Sequence, residues 1–421
     1  MSLMVVITIL LLAAALFAYI NERVFDMPDT IGVMLVAVLI SLGLYLLDFF
    51  NIVHVKEWAA EFLEELNFSY TLLHGMIGFL LFSGSLNVRM PDLHEQRWLI
   101  GSLAVGSTVL GCFFVGSMIW FVLQSLGVDI DYIMCLVFGA LISPTDPIAC
   151  LGIFKKIGMP ARLQILIEGE SLFNDGVGVV VFLIITEIAA GEGDPSLGHV
   201  LGLFGQEALG GLAIGALSSL VAFLMLSGVK RTSSQALLTL ALVAGCFTLA
   251  EYLHVSGLIA IVVSGLLIGN YGRRLAISEE NRHHLDAFWE LIDEVLNAVL
   301  FLLIGLHLLL VPMSSQYLIA ALAAVPVVLL GRFLAVSIPV YLLRVGRRYD
   351  ASRFHIIKLL TWGGLRGGIS VAMVLALDPG PDRDLLLTMT FAVVVFSILV
   401  QGLTVGKIYT TEQLRWIAQR S

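Results

Sequence analysis

The sequence predicts an all-α polytopic membrane protein: thirteen transmembrane helices in two inverted six-helix repeats, with crossed, unwound fifth and twelfth helices. Three observations predict it. Hydrophobic residues make up 59% of the 421 residues and charged residues only 13%, against about 45–50% and about 25% in soluble domains. Apolar runs close to the roughly 20 residues that cross a bilayer recur from end to end. Two of those runs are interrupted by proline or glycine at equivalent places. Mean hydropathy is +0.98. These figures exclude a soluble enzyme, a disordered chain and a nucleic-acid binder. The expected surroundings are a lipid bilayer, where runs of this length satisfy their backbone groups as helices.

The thirteen runs are about 3–20, 30–49, 68–87, 98–124, 131–154, 161–190, 205–227, 234–252, 255–271, 285–310, 316–343, 354–377 and 384–408. Turn or charge signals such as Asn21–Asp29, Gly191–Ser196 and Gly346–Ser352 separate them. The first run, Leu3 to Ile20, has no basic segment ahead of it and reads as a helix rather than a signal peptide. The stretch Asn51–Glu65 sets Lys56, Glu57, Glu61, Glu64 and Glu65 among Trp58, Phe62 and Leu63, the pattern of a helix along the interface. Polar gaps of roughly 15–20 residues are too short for a soluble domain. The whole chain, 1–421, is therefore read as one transmembrane unit, with repeats at about 1–190 and 234–408 and a short tail at 409–421. Cys112, Cys135, Cys150 and Cys246 all sit in apolar runs without ligand spacing and read as small core residues.

The basic residues orient the chain. With odd-numbered loops on one side, that side holds 19 of the 23 Lys and Arg, including Arg89, Arg97, Arg273, Arg274, Arg347 and Arg348. The other side holds only Lys56 and Arg383, and Arg332 and Arg366 fall inside spans. The positive-inside rule places the N-terminus outside and the C-terminus in the cytoplasm. The net charge of −9 says little by comparison.

The fifth run carries Ser143-Pro144-Thr145-Asp146-Pro147 in its middle, and proline removes a backbone donor. The twelfth carries Gly363-Gly364-Leu365-Arg366-Gly367-Gly368. Each is second from last in its six-span half. Interrupted helices at matching places in inverted repeats point to an ion site near the midplane of a secondary transporter; two unrelated kinks are the plain alternative.

Charges within spans are costly and mark function. The sixth run holds the densest group, Glu168-Gly169-Glu170-Ser171-Leu172-Phe173-Asn174-Asp175-Gly176. Ser171 and Asp175, one turn apart, offer a hydroxyl and a carboxylate. Such oxygen ligands suit a hard cation such as Na⁺. Thr145 at the break adds a hydroxyl, and unwinding frees carbonyls. Burial disfavours a bare carboxylate, so Asp175 is expected to hold either a proton or a metal cation, which suffices for antiport. The alternative for Asp175 is a structural carboxylate neutralised by an arginine. Glu170 is turned away from Ser171 and is expected to pair with Arg332. Arg366 is expected to balance the crossing with its donors on freed carbonyls. Glu168 is a weak, interfacial candidate.

At these residues the sequence resembles the monovalent cation:proton antiporter-1 family, in its NhaP-type sodium/proton antiporter branch. The matching motifs are SPTDPIA (Ser143–Ala149), EGESLFNDG (Glu168–Gly176), HVSGLIAIVVSGLLIGNYG (His254–Gly272), FW…LN.VLFLLIGL (Phe288–Leu306) and WGGLRGGIS (Trp362–Ser370). The resemblance implies a homodimer in the cell (inner) membrane serving pH homeostasis. It implies a core domain from helices 3–6 and 10–13 that moves against a dimer domain made from the rest. It makes Asp175 the shared ion and proton site, with Thr145 and Ser171 as further cation ligands. Asn174 and Asp146 become the polar pair at the crossing, and Glu170 with Arg332 the buried ion pair. Asparagine before the aspartate implies electroneutral, one-for-one exchange. Some members place an acidic ligand in the third span; here Ser83 stands at that position, which leaves Na⁺, Li⁺ and K⁺ selectivity open. His74 is a candidate pH modulator or a packed histidine.

The expected function is thus a monovalent cation (Na⁺, or Li⁺ or K⁺)/H⁺ antiporter working by alternating access. It is not an enzyme and needs no cofactor beyond the transported ions. A K⁺/H⁺ antiporter, an ion-coupled organic-solute symporter on a similar scaffold and a sensor or scaffold that kept the fold without transport are the alternatives. A solute pocket would want more aromatic or charged recognition groups near the breaks, and a sensor would be expected to lose the site carboxylate, which is present. The first and seventh to tenth spans, reading as poor in deep charge, are assigned to lipid and subunit contacts.

Overall fold

A computed structural model describes residues 3–50, 75–146, 154, 158–191, 193, 196–312, 314–343 and 353–408. His74, Cys150, the amphipathic stretch 51–65 and the tail at 409–421 lie outside the described residues. What is described is helical throughout, joined by short turns, with a single isolated antiparallel bridge between Asp146 and Leu365.

The helices follow the apolar runs. They are α1 (Leu3–Ile20), α2 (Asp29–Phe49), α3 (Ile77–Asn87), α4 (Arg97–Ser125), α5 (Tyr132–Ile142), α6 (Ala161–Ala189) and α7 (Leu197–Ser227). Then come α8 (Thr232–Tyr252), α9 (Gly257–Leu275), α10 (Glu279–His307), α11 (Ser315–Leu342), α12 (Arg353–Trp362), α13 (Gly368–Leu375) and α14 (Pro381–Lys407). Ten of these are long and apolar enough to cross a membrane, and the chain is a multi-pass membrane protein. The third and fifth expected spans are represented by the shorter helices α3 and α5, and the twelfth by two half-helices, α12 and α13. Two boundaries move: α7 begins at Leu197 rather than about 205, and α10 at Glu279 rather than about 285. Both helices start directly after a serine in extended conformation, Ser196 and Ser278; α10 opens with the polar turn Glu279–Arg282, and α7 with Gly198 and His199 in its first turn. Hydropathy marks the buried length of a helix, so it misses turns that extend beyond the apolar slab.

Among the described residues, π-type turns lie within or at the end of four helices, at Asn21–Phe25, Ser102–Ser107, Ile268–Gly272 and Ser397–Gln401. Such turns widen the helix locally and free a hydrogen-bonding group. Two of them sit beside the candidate site: Ser107 ends the turn in α4, and Ser397 opens the turn in α14.

Packing positions the broken segments at the centre. α5 lies against α4, α6, α13 and α14; α11 lies against α4, α12 and α14. α3 packs on α8, α9 and α10, and α10 also packs on α2. Glycines let backbones approach at these contacts. Ala260 of α9 sits against Gly215 of α7, and Cys112 of α4 against Gly139 of α5, with no room for a side chain at either glycine. Small residues at helix contacts are the usual means of close packing where lipid removes the hydrophobic drive between helices. Cys112, Cys135 and Cys246 are buried free thiols. The outward faces of α1 and α7 are apolar and exposed, for example Leu12, Leu16, Leu209, Leu217 and Leu224.

Candidate ion site at the helix crossing

The site is built where the two interrupted helices meet. After α5 the chain leaves the helix at Ser143 and runs extended through Pro144 and Thr145 to Asp146. After α12 it unwinds over Gly363–Gly367 before α13 resumes. The two extended pieces cross, and the Asp146 N–H donates to the Leu365 carbonyl at 2.8 Å. The glycines have a steric reason. A Cβ at Gly367 would fall on the Asp146 carboxylate, and one at Gly364 would crowd the Arg332 guanidinium.

Unwinding leaves carbonyls without helical partners, and each set is met by a buried arginine. Arg366, 3% exposed, donates to the Pro144 carbonyl at 2.7 Å and also to the Ser143 carbonyl. Arg332, 4% exposed, donates from Nε and Nη2 to the Leu360 carbonyl at 3.3 Å. A cation at the negative end of a half-helix also opposes the helix dipole. The Arg366 backbone N–H donates to Ser397 Oγ at 2.9 Å. The Ser397 hydroxyl in turn donates to Gln401 Oε1, and Gln401 Nε2 donates to the Trp362 carbonyl. The π turn of α14 thereby holds both ends of the second break.

Glu170 and Arg332 are brought together at 2.7 Å, both almost fully buried. Ser107, from the π turn of α4, accepts from Arg332 and donates to Glu170, both at 3.4 Å. The pair joins α6, α11, α4 and the end of α12. Glu170 lies outside the cavity next described.

α6 clasps the first break. The Asn174 amide donates to Thr145 Oγ1 at 2.7 Å, and Asn174 Oδ1 accepts the Thr145 N–H at 3.3 Å. The Ser171 hydroxyl donates to the Thr145 carbonyl. The resemblance makes Asn174 and Asp146 the polar pair at the crossing, and both polar atoms of the Asn174 amide engage Thr145, the residue before Asp146. Asp175, one turn beyond Ser171, is 6% exposed, and no hydrogen bond to its carboxylate is made among the described residues.

Asp175, Ser171, Thr145 and Asp146 line one cavity of about 420 Å³. Its other wall is α3, with Ser83, and α10. Half-buried Glu168 and the exposed Asn87 and Glu294 also line it. The Ser83 hydroxyl donates to the Trp289 carbonyl of α10 at 3.2 Å. Arg273 of α9 donates to the Leu86 carbonyl and Asn87 Oδ1 and pairs with Asp286 of α10, bracing that wall.

Sequence reasoning missed Asp293. α10 is not poor in deep charge: its residue Asp293 lines the cavity, and its neighbour Asn297 is 2% exposed and donates to Asp293 Oδ2 at 3.1 Å. The signal was present, since Trp289, Asp293 and Asn297 recur every four residues and share one helix face.

A cavity ending on a buried carboxylate with hydroxyls beside it can take a small cation or a proton from water. The family model described as sodium/hydrogen exchanger, transmembrane, matches residues 4–411. The chain belongs to that family. It is 45% identical over 395 residues to the Na(+)/H(+) antiporter NhaP of Pseudomonas aeruginosa, covering 93% of this chain and 92% of the relative. It is 32% identical over 404 residues to the Na(+)/H(+) antiporter NhaH of Halobacillus aidingensis, covering 94% of each. Its fold matches the structure of the sodium proton antiporter MjNhaP1 from Methanocaldococcus jannaschii with a TM-score of 0.75, over 99% of this chain and 100% of that one, at 20% identity.

Proposed function

We propose that this protein is an electroneutral Na⁺/H⁺ antiporter in which the cation and the proton compete for Asp175. The observation that carries the reading is the placement of the buried Asp175 on the lining of a cavity of about 420 Å³, with Ser171 and Thr145 on the same surface. The names of the relatives support Na⁺ and H⁺ as the substrates. Ser171 and Thr145 supply neutral oxygens, and Asp175 supplies the single charge that a monovalent cation needs. One carboxylate holds one proton or one cation, so each cycle exchanges one for one. Asn174 is neutral and spends both amide atoms on Thr145, leaving Asp175 to carry the exchange.

The thirteen crossings, the inverted repeats and the homodimer are part of the same reading. With the N-terminus outside, the exposed rim at Asn87 lies beside Arg89, on the side of the basic loops. The cavity then opens to the cytoplasm. Alternating access moves the crossing, with α4–α6 and α11–α14, against a wall that includes α3 and α10. The seam of that motion is the cavity, so α3 and α10 travel with the static part rather than with the core. Arg332 and Arg366 keep the crossing rigid while it moves.

The test is transport by purified protein in proteoliposomes, with Na⁺, Li⁺, K⁺ and Rb⁺ offered across pH 6 to 9 and with an imposed membrane potential. Na⁺-driven proton movement independent of the potential is expected. Clear voltage dependence would refute one-for-one exchange, and movement driven by K⁺ alone would refute the substrate.

A further inference from the structure

Leu300 of α10 lines the cavity, is buried, and rests on the first residue of α13. A Cβ at Gly368 would meet Leu300 Cδ1, Cδ2 and Cγ at 2.6, 2.8 and 3.0 Å, so the leucine occupies the place that any other side chain at 368 would take. The break itself does not require this glycine. The chain is unwound over Gly363–Gly367, but Gly368 is already helical, and glycine weakens a helix. Its use is the close seat it gives Leu300. Two turns of α10 separate Leu300 from Asp293, about 10 Å along the axis. With the N-terminus outside, α10 runs outward, and Leu300 lies on the outer side of the cavity.

What lies beyond Leu300 is an independent observation. From Phe301 to Leu306 α10 carries no polar side chain, and neither does the chain from Val371 to Leu377. Phe301, Leu302, Leu303 and Ile304 are buried, and so are Val371, Ala372, Met373 and Val374. The packing behind them is close: Ala37 of α2 leaves no room for a side chain at Gly305, and the Ser41 hydroxyl donates to the Gly305 carbonyl at 2.8 Å. A cation that sheds its water in such a layer finds nothing to replace it. The polar lining of the cavity reaches Ser370 on α13, and the apolar layer begins at Leu300.

We infer that Leu300, seated on Gly368, is the outer gate of the cavity, and that the seat must part before Asp175 meets the outer solution. The inference rests on the proposed movement of the crossing against the wall. α10 belongs to the wall and α13 to the crossing, so the contact spans the seam of that motion. Leucine on a bare glycine backbone closes the seam by dispersion contacts alone. Such a closure is made and lost in each cycle without stranding a polar side chain.

The experiment labels the full chain carrying Ile369→Cys, a half-buried position on the cavity lining beside Gly368. A membrane-impermeant, cationic methanethiosulfonate is added to right-side-out and to inverted membrane vesicles, and the chain without Ile369→Cys gives the background of the native cysteines. With Leu300 in place, modification should be faster from the cytoplasmic face than from the outer face. Leu300→Ala should raise the outer rate about tenfold and leave the cytoplasmic rate unchanged, because truncation removes most of the contact. Leu300→Met, of similar volume, should stay near the parent. Gly368→Ala, which wedges the seat apart, should raise the outer rate as Leu300→Ala does. An outer rate unchanged in Leu300→Ala, or rates raised equally at both faces, overturns the gate and assigns Leu300 to helix packing. If Leu300→Ala does not fold, Leu300→Val decides by the same pair of rates. Modification of the parent Ile369→Cys chain from the outer face alone would instead defeat the reading of a cavity open to the cytoplasm, so the two failures are separate.

Discussion

The guanidinium of Arg366 donates to the carbonyl oxygen of Pro144 at 2.7 Å, tying the unwound turn that follows α12 to the unwound turn that follows α5. The contact explains how two interrupted helices coexist in a region without bulk water. Each broken helix exposes carbonyls that lipid cannot satisfy. Arg366 serves the first set and Arg332 the second.

Replacing Arg366 by Gln should destabilise the protein and abolish transport. The carbonyls of Ser143 and Pro144 then lose a charged donor, at about 1–3 kcal/mol for each acceptor left unmet. Thermal unfolding in detergent reads the effect as a fall in Tm. Arg366→Lys keeps the charge but not the fork of donors and should fall between the two. An unchanged Tm in Arg366→Gln would show that the crossing is held by other contacts.

Glu170 and Arg332 form a buried pair whose separation is costlier than its loss. Glu170→Gln or Arg332→Gln alone leaves one buried charge, a cost of roughly 3–5 kcal/mol. The double variant should be less destabilised than the sum of the two. A denaturation cycle over the four proteins measures the coupling, and strict additivity would remove the pair from the account. Transport by the double variant should survive in part, because Glu170 lines no part of the Asp175 cavity.

Competition at one carboxyl fixes the sign of the pH dependence. A proton on Asp175 excludes the cation, so the apparent KM for Na⁺ should rise as pH falls. With one proton per cation the rise is at most about tenfold per pH unit. As pH rises the KM should fall to a plateau once the carboxyl is deprotonated without help from Na⁺. Initial rates at graded Na⁺ between pH 6 and 9 test this, and a KM independent of pH over that range would exclude a shared site.

Much of this was legible in the sequence, for physical reasons. Apolar length located every helix that begins and ends at the edges of the slab, α8 being one: its expected run, about 234–252, became Thr232–Tyr252. Pro144 and the Gly363–Gly368 run announced the breaks, because proline and glycine are what a helix interior avoids. Charge density in an apolar run singles out Glu170, Ser171, Asn174 and Asp175, and of these Ser171 and Asp175 line the cavity. The choice of partners was not legible in the same way. That the Asn174 amide reaches Thr145 depends on which atoms the unwound strand presents, which spacing along α6 does not encode. Asp293 was passed over because α10 begins with a polar segment, and its acidic residues merged with that exterior end. Only the packing of α10 on α3 shows that two of them, Asp293 and Glu294, line the cavity.

The most direct measurement of the central claim is Na⁺-driven proton movement by Asp175→Asn in proteoliposomes, beside wild type of matched Tm and orientation. Asparagine keeps the size of the side chain and its helix position but can hold neither the proton nor the charge of the cation. The account predicts no exchange above empty vesicles at any pH between 6 and 9. Exchange at the wild-type rate would contradict it and would place the shared carboxyl elsewhere in the cavity.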